Sequence, residues 1–269
     1  MTLIISLLVQ DRIIQISDRR LTRRTPEGIK LVEDNANKAV LFDTRVAFSY
    51  TGSASIEGMR TDLWLVKALQ EAKVKSFPEA CYAIRERATR IFRGYAWLPK
   101  DKQQTFVAVG WTRTSIDTDY MPTVVEITNC HGGTGNYSPI AHEQFQIIRE
   151  TPEKSQWMWR TTGQQLNEER ELIVSRTLTN MLKRKLTVGA VVKYLVDVIL
   201  EVSGTNPTVG RNLMIMQLPK PLDTDSKVWV MLAGTVASEH PAFCYLDDGG
   251  DSPVQYGPHL VVAGSALVN

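Results

Sequence analysis

Cysteine is scarce in this sequence and never closely spaced: Cys81, Cys130 and Cys244 are an odd number with no Cys-x-x-Cys among them. That argues against a disulfide framework and against a four-ligand zinc site, and it favours a reducing compartment. An excess of one charge is also missing, since 31 Lys and Arg against 29 Asp and Glu leave a formal net charge of +2. No strong electrostatic draw toward nucleic acid or an anionic membrane follows from such a balance. No apolar run approaches the ~18 residues that a membrane span needs. The apolar stretch at the N-terminus lasts only to Val9, lacks a preceding positive charge and meets Gln10-Asp11-Arg12 without a small-residue cleavage site, so it does not read as a signal peptide. The expectation is a soluble, cytoplasmic protein that engages neither nucleic acid nor membrane. Internal repeats and low-complexity linkers are absent as well.

What is present is an ordinary globular composition: 269 residues, 43% hydrophobic and 22% charged, long enough to bury a sizeable core as one domain or at most two small ones. Thr2 to Val9 is a run suited to a strand buried on both faces, and Ile13 to Ser17 resumes strand character after Gln10-Asp11-Arg12, so the chain opens on a hairpin. A polar stretch from Asp18 to Asn37 contains the turn signal Pro26-Glu27-Gly28. Lys38 to Phe42 and Arg45 to Tyr50 form a second hairpin around Asp43-Thr44. A helix is expected from Gly52 onward, with Ile56, Met59, Leu63 and Val66 as its stripe and Ser53 or Ser55 as its cap. Ser76-Phe77-Pro78-Glu79 starts another. Strands are expected over Thr105–Trp111, Thr123–Thr128, Phe145–Arg149 and Gln156–Arg160. Helices follow from about Asn167 to Lys185 and from Thr187 to Gly204, then a strand over Leu213–Gln217 and a C-terminal stretch of strands and turns.

Strands and helices therefore come in blocks rather than alternating, which argues against a doubly wound sheet. Two antiparallel sheets packed face to face with helix pairs outside, an α+β fold layered αββα, would bury this pattern.

The N-terminal half carries a constellation. Thr2 opens a buried strand, Ser17-Asp18-Arg19-Arg20 follows the second strand, Asn37-Lys38 opens the third, and Thr51-Gly52-Ser53 links the fourth to the first helix. Taken singly, Asp18 is a turn former, Lys38 a charge at a strand start and Gly52 a turn glycine. In this order and spacing they resemble the proteasome β-type subunits and the bacterial proteasome-like peptidases, members of the N-terminal nucleophile hydrolases. The stretch from Asp18 to Lys38 is slightly longer than that family's usual one. The resemblance covers about residues 2–217 as one domain; residues 218–269 are an extension expected to pack on it.

The resemblance implies a self-compartmentalising threonine peptidase. A hydroxyl needs a base beside it, and a free N-terminal amine supplies one from the same residue, so Thr2 becomes a nucleophile once Met1 is removed. Lys38 would lower the pKa of the hydroxyl, Asp18 would hold Lys38, and the Gly52 amide would face the oxyanion. Arg20 is a supporting residue by the same resemblance. In the active family an Asp and a Ser after the fourth helix, and another Ser before the third, orient the amine. Here Asn206 stands for the Asp and Val209 for the Ser, with Thr208 a hydroxyl nearby, and the remaining position falls on Thr162 or Gly163. Leu21, Tyr50 and Ala54 would line the pocket for the residue preceding the cut, with Tyr50 partly filling it. The equally good alternative makes Tyr50 a core aromatic with a satisfied hydroxyl. Neither metal nor organic cofactor is implied. The partners implied are a polypeptide substrate, copies of the chain in a homo-oligomeric ring and, without a motif to identify it, an ATP-dependent unfoldase. Two alternatives remain open: a catalytically inactive subunit serving assembly, and an amidase of the same class acting on a small molecule.

Other signals carry less. His131-Gly132-Gly133-Thr134-Gly135-Asn136 lacks the Lys-Ser/Thr end of a phosphate loop. Cys130, His131 and His142 lack metal-ligand spacing. Four histidines leave a Ser-His-Asp triad open, but there is no Gly-x-Ser-x-Gly elbow. Arg85, Arg87, Arg90 and Arg93 read as a solvated or subunit-facing helix surface. Asp247-Asp248-Gly249-Gly250-Asp251 reads as an acidic turn without EF-hand spacing.

Overall fold

In the computed structural model, which describes residues 2–43, 45–96, 102–113, 119–130, 140–153, 156–221, 242–246, 259–262 and 265–267, the first strand is buried along its whole length. The reason is that it has a partner on each face. Side chains alternate across a strand, so Leu3, Ile5 and Leu7 of β1 (Leu3–Leu8) pack on helices while Ile4 and Leu8 pack on another sheet. β2 (Arg12–Asp18) divides the same way, with Ile14 and Ile16 toward the helices and Ile13 toward the sheet.

The remaining strands, in chain order, are β3 (Leu21–Thr25), β4 (Gly28–Glu33), β5 (Ala39–Phe42), β6 (Val46–Gly52), β7 (Ser55–Ile56), β8 (Met59–Arg60), β9 (Gln104–Thr112), β10 (Met121–Thr128), β11 (Gln146–Glu150), β12 (Met158–Gly163), β13 (Leu213–Pro219), β14 (Ala242–Leu246), β15 (His259–Val262) and β16 (Ser265–Leu267). Helices α1 (Thr61–Ala72) and α2 (Phe77–Gly94) follow β8, and α3 (Glu168–Lys183) and α4 (Val188–Thr205) follow β12. The chain is thus α+β. One sheet has the order β12-β1-β2-β13-β14, the other β11-β10-β9-β6-β5-β15-β16, and β3-β4 and β7-β8 are separate two-stranded ribbons.

Three apolar clusters hold these elements. Val40, Phe48, Phe106 and Ile127 of the seven-stranded sheet pack with Trp64, Leu65, Ile84 and Phe92 of α1 and α2. Leu3, Ile5, Ile14 and Leu213 of the five-stranded sheet pack with Val174, Leu178, Leu195 and Val198 of α3 and α4. Ile4, Leu8, Ile13 and Met214 meet Leu41, Ala47, Val107 and Val109 where the sheets face each other.

Three helix starts lie where capping chemistry places them: Ser76 accepts the Glu79 N–H at 3.4 Å, Asn167 that of Arg170 at 2.8 Å and Thr187 that of Ala190 at 3.3 Å. The fourth does not. α1 begins at Thr61 without a side-chain cap, and neither Ser53 nor Ser55 caps it. Between Gly52 and Thr61 the chain makes the β7–β8 ribbon, pairing Ile56 with Met59. Its two turn residues, Glu57 and Gly58, have φ of 53° and 74°, the positive pair that a tight primed hairpin turn requires. Ile56 and Met59 share helical spacing with Leu63 by coincidence of a two-residue turn. The polar stretch after Asp18 likewise forms a hairpin, β3–β4, whose Ile29, Leu31 and Val32 are exposed. α4 runs one residue past Gly204 to Thr205.

The C-terminal stretch contributes to both sheets: β14 pairs with β13, and β15 pairs with β5 in parallel. The seven-stranded sheet is therefore mixed, not purely antiparallel. A parallel neighbour needs a long crossover, and most of the chain separates β5 from β15.

His259 on β15 ties this strand to the start of α1. Asp62 is fully buried, with its Oδ2 2.8 Å from His259 Nε2, and it accepts the Arg60 guanidinium at 3.1 and 2.9 Å. Burial opposes the charged carboxylate, but hydrogen bonds from His259 and Arg60 outweigh it and hold the Asp62 pKa below its ordinary value. A depressed carboxylate contributes stability at neutral pH that is lost as pH falls through the folded-state pKa. Asp62→Asn should thus lower stability at neutral pH, with the gap to wild type closing below about pH 4. Urea unfolding measured across acid pH checks this, and a gap independent of pH contradicts it.

Candidate active site

The register of four strands brings the N-terminus against the second sheet. Thr2 shares the face of Ile4, which looks toward the seven-stranded sheet. On β6, Ala47 and Ser49 look back: Ala47 belongs to the inter-sheet cluster, and the Ser49 hydroxyl donates to Gln15 Oε1 at 2.8 Å. Thr51 is next on that face, and its Oγ1 accepts the N–H of Thr2 at 3.3 Å.

Lys38 enters the same space from the residue before β5. Thr2 is 5% exposed, and Asp18 and Lys38 are each 0%. The Lys38 ammonium reaches three acceptors: Thr2 Oγ1 at 2.6 Å, the Arg20 carbonyl at 2.6 Å and Asp18 Oδ1 at 3.4 Å. Burial pushes the Lys38 pKa down while Asp18 opposes the shift. An ammonium has three N–H donors and no acceptor, so three acceptors match the charged form. Thr2 Oγ1 therefore accepts from Lys38.

Asp18 closes β2 and is fixed by backbone donors: Leu3 N–H at 2.8 Å on Oδ2, and Arg20 N–H at 2.9 Å and Gly210 N–H at 3.1 Å on Oδ1. These donors replace the water that the buried carboxylate has lost.

Gly52 follows Thr51 at the exposed end of β6 with φ of 116°. A Cβ there would lie 2.3 Å from the Gln103 carbonyl oxygen, so only glycine fits. Arg20 forms a bidentate pair with Asp34, 2.8 Å at each oxygen, and reaches the Pro207 carbonyl at 3.1 Å. It joins the end of β2 to the loop after α4.

That loop touches the site through its main chain and not through the side chains expected to orient an amine. Asn206 Oδ1 accepts the N–H and hydroxyl of Thr208 at 2.9 and 2.7 Å, and Val209 is buried in the cluster under α3 and α4. Thr162 turns to Glu126, to which its hydroxyl donates. Gly163, the other residue at that position, lies against Thr2: with φ of 89°, a Cβ on it would fall 2.0 Å from the Thr2 carbonyl oxygen.

The three pocket residues stand apart in kind. Leu21 is buried on β3 and Ala54 is half-buried before β7. Tyr50 is packed in the cluster with α1 and α2, so it is a core aromatic. Among the described residues, however, its hydroxyl has no hydrogen-bond partner. Burial, with the Asp62 charge second, pushes its pKa well above the ordinary tyrosine value.

The contact of Thr51 with Thr2 and the part played by Asp34 are not expected from the constellation, in which Thr51 stands only beside Gly52. Thr51 was legible only through strand parity with Ser49, and Asp34 bore no signal beyond its charge. Elsewhere, burial pushes the Cys81 thiol up to about 12 and the Cys130 thiol up to about 11, which makes both poor nucleophiles. On the arginine-rich face of α2, Arg85 pairs with Glu86 and Arg87 with Glu71. Among the described residues no group of three or more His, Cys, Asp or Glu could hold a metal, and no helix is long and apolar enough to cross a membrane. The glycine-rich segment from His131 to Asn136 and the acidic one from Asp247 to Asp251 lie outside the described residues. No protein-family model matches this chain, and no curated protein matches it in sequence.

Proposed function

We propose that this chain is an N-terminal threonine hydrolase that cleaves peptide bonds through an acyl ester on Thr2, built on the αββα sandwich of the N-terminal nucleophile hydrolases. The observation that carries this reading is the buried Lys38 ammonium, 2.6 Å from Thr2 Oγ1 with Asp18 behind it. Removal of Met1 turns the Thr2 amide into an amine with a reference pKa of about 7.7–8.0, a base suited to neutral pH. The amine takes the hydroxyl proton as Oγ1 attacks the substrate carbonyl, and Lys38 stabilises the charge on Oγ1. The Gly52 amide faces the oxyanion, a donor of a kind worth about 3–4 kcal/mol in related chemistry. Collapse returns the proton to the departing amine and leaves the ester. Water, deprotonated by the same amine, then attacks the ester and frees Thr2 Oγ1.

Intact mass after incubation with a peptide epoxyketone, which condenses with the hydroxyl and amine of an N-terminal threonine, tests the reading. Wild type should lack Met1 and gain one adduct, and Thr2→Ala should gain none. Retained Met1 with no adduct sinks the proposal.

A second reading, an inactive subunit used in assembly, draws support from Val209 in the core and from Asn206 occupied by Thr208. Loss of Met1 without an adduct would favour it. Both readings include a homo-oligomeric ring, in which exposed Leu172 and Ile173 of α3 supply apolar surface for a neighbour. Sedimentation at equilibrium separates a ring from a monomer.

A further inference from the structure

We propose that Thr51 is the positioning residue that holds the α-amine of Thr2 with its lone pair toward Oγ1, an inference that rests on the hydrolase reading above. Thr51 Oγ1 lies 3.3 Å from the Thr2 nitrogen, on the rim of the facing sheet. The side chains that the resemblance assigns to this task are engaged elsewhere or lack the group. Thr162 donates to Glu126, Asn206 is held by Thr208, Val209 is core, and Gly163 has no side chain.

Gly163 has a complementary part. A Cβ on it would come within 2.9 Å of Thr51 Oγ1 and 2.0 Å of the Thr2 carbonyl oxygen. A serine at this place is sterically excluded, and the vacated space is where the Thr51 hydroxyl meets Thr2.

The consequence is orientational. A primary amine rotates about its N–Cα bond, and only one rotamer aims the lone pair at the hydroxyl proton. Accepting one N–H at Thr51 excludes the rotamer that turns the lone pair toward β6, and so raises the share of the one aimed at Oγ1. Lys38, which donates to Thr2 Oγ1, Asp18, which accepts from the N–H of Leu3, and the Arg20–Asp34 pair next to Lys38 are charged groups close to the same space. All are common to every variant below.

The test uses purified protein lacking Met1, as wild type, Thr51→Val and Thr51→Ser. Valine keeps the shape and strand preference of threonine, and serine keeps the hydroxyl. Two rates are followed against pH by mass: reductive methylation of the Thr2 amine, and capture of Thr2 by a peptide epoxyketone. Thr51→Val should move the methylation limb to lower pH, because an ammonium that loses an acceptor is disfavoured. Its plateau rate of epoxyketone capture should fall about 10- to 100-fold, the scale of a misplaced reacting group. Thr51→Ser should restore both, with thermal midpoints alike in all three. An unchanged methylation limb and unchanged capture in Thr51→Val overturn the inference and leave the hydrolase reading standing. A wild type with a reactive amine and no capture removes the hydrolase reading, and the catalytic role of Thr51 with it. A shifted methylation limb would then report only a contact.

Discussion

Replacing Lys38 by Met should slow covalent capture of Thr2 by about 10²–10³-fold, the usual cost of losing a preorganised donor at a centre of developing charge. The Lys38 ammonium is the group 2.6 Å from Thr2 Oγ1, and methionine matches its unbranched apolar stem without the ammonium group. Stability should fall too, since Asp18 would keep its charge in a fully buried position without its ionic partner. Breaking such a pair costs about 3–5 kcal/mol. Three backbone N–H groups remain on Asp18, so the lower end applies, about 3 kcal/mol. Adding Asp18→Asn removes the stranded charge but turns an amide NH2 toward a backbone N–H that a carboxylate oxygen accepts in wild type, so it should recover only part of the stability while Thr2 stays unreactive. Epoxyketone capture and urea unfolding, run on the single and double variants, separate the two effects. Full reactivity in Lys38→Met would remove Lys38 from the chemistry.

Glu126→Ala has the largest expected effect away from Thr2. Glu126 sits on β10 of one sheet, only 2% exposed, and its two oxygens accept Arg160 Nε at 3.0 Å and Nη2 at 2.9 Å from β12 of the other. The Thr162 hydroxyl donates to the same carboxylate. The cluster thus joins the sheets at the strand whose last residue, Gly163, seats Thr2. Alanine leaves a buried hydroxyl and half of a guanidinium fork without an acceptor. Arg160 keeps Glu150 and some exposure, so a loss of about 3 kcal/mol is expected, or of order 10 °C in the thermal midpoint. Urea unfolding with an unchanged slope measures it; a loss below about 1 kcal/mol would mean that water replaces the cluster.

Much of the scaffold is legible in the sequence. Helices α2, α3 and α4 begin at Ser76, Asn167 and Thr187 because a side-chain oxygen there answers a free N–H of the first turn, an interaction between residues three apart. β1 and β2 are apolar on both faces because both faces are covered, and period-two alternation sorts them without long-range information. The order Thr2, Asp18, Lys38, Gly52 was likewise readable as a pattern.

The rest depended on distant partners. That Ile56 and Met59 belong to a hairpin and not to α1 follows from two positive φ values that apolar spacing does not encode. The parallel seat of β15 beside β5 is settled by a crossover from the far end of the chain and by His259 meeting Asp62. Asp34 on Arg20, and Thr51 on the Thr2 nitrogen, are meetings across 14 and 49 residues. Local propensity acts over a few residues and determined the strands and the caps, while the candidate nucleophile is implied only by the resemblance. Which hydroxyl faces the Thr2 nitrogen, and which acid holds Arg20, was decided when two sheets closed on one another, because side chains that share no neighbourhood in sequence acquire one only by packing.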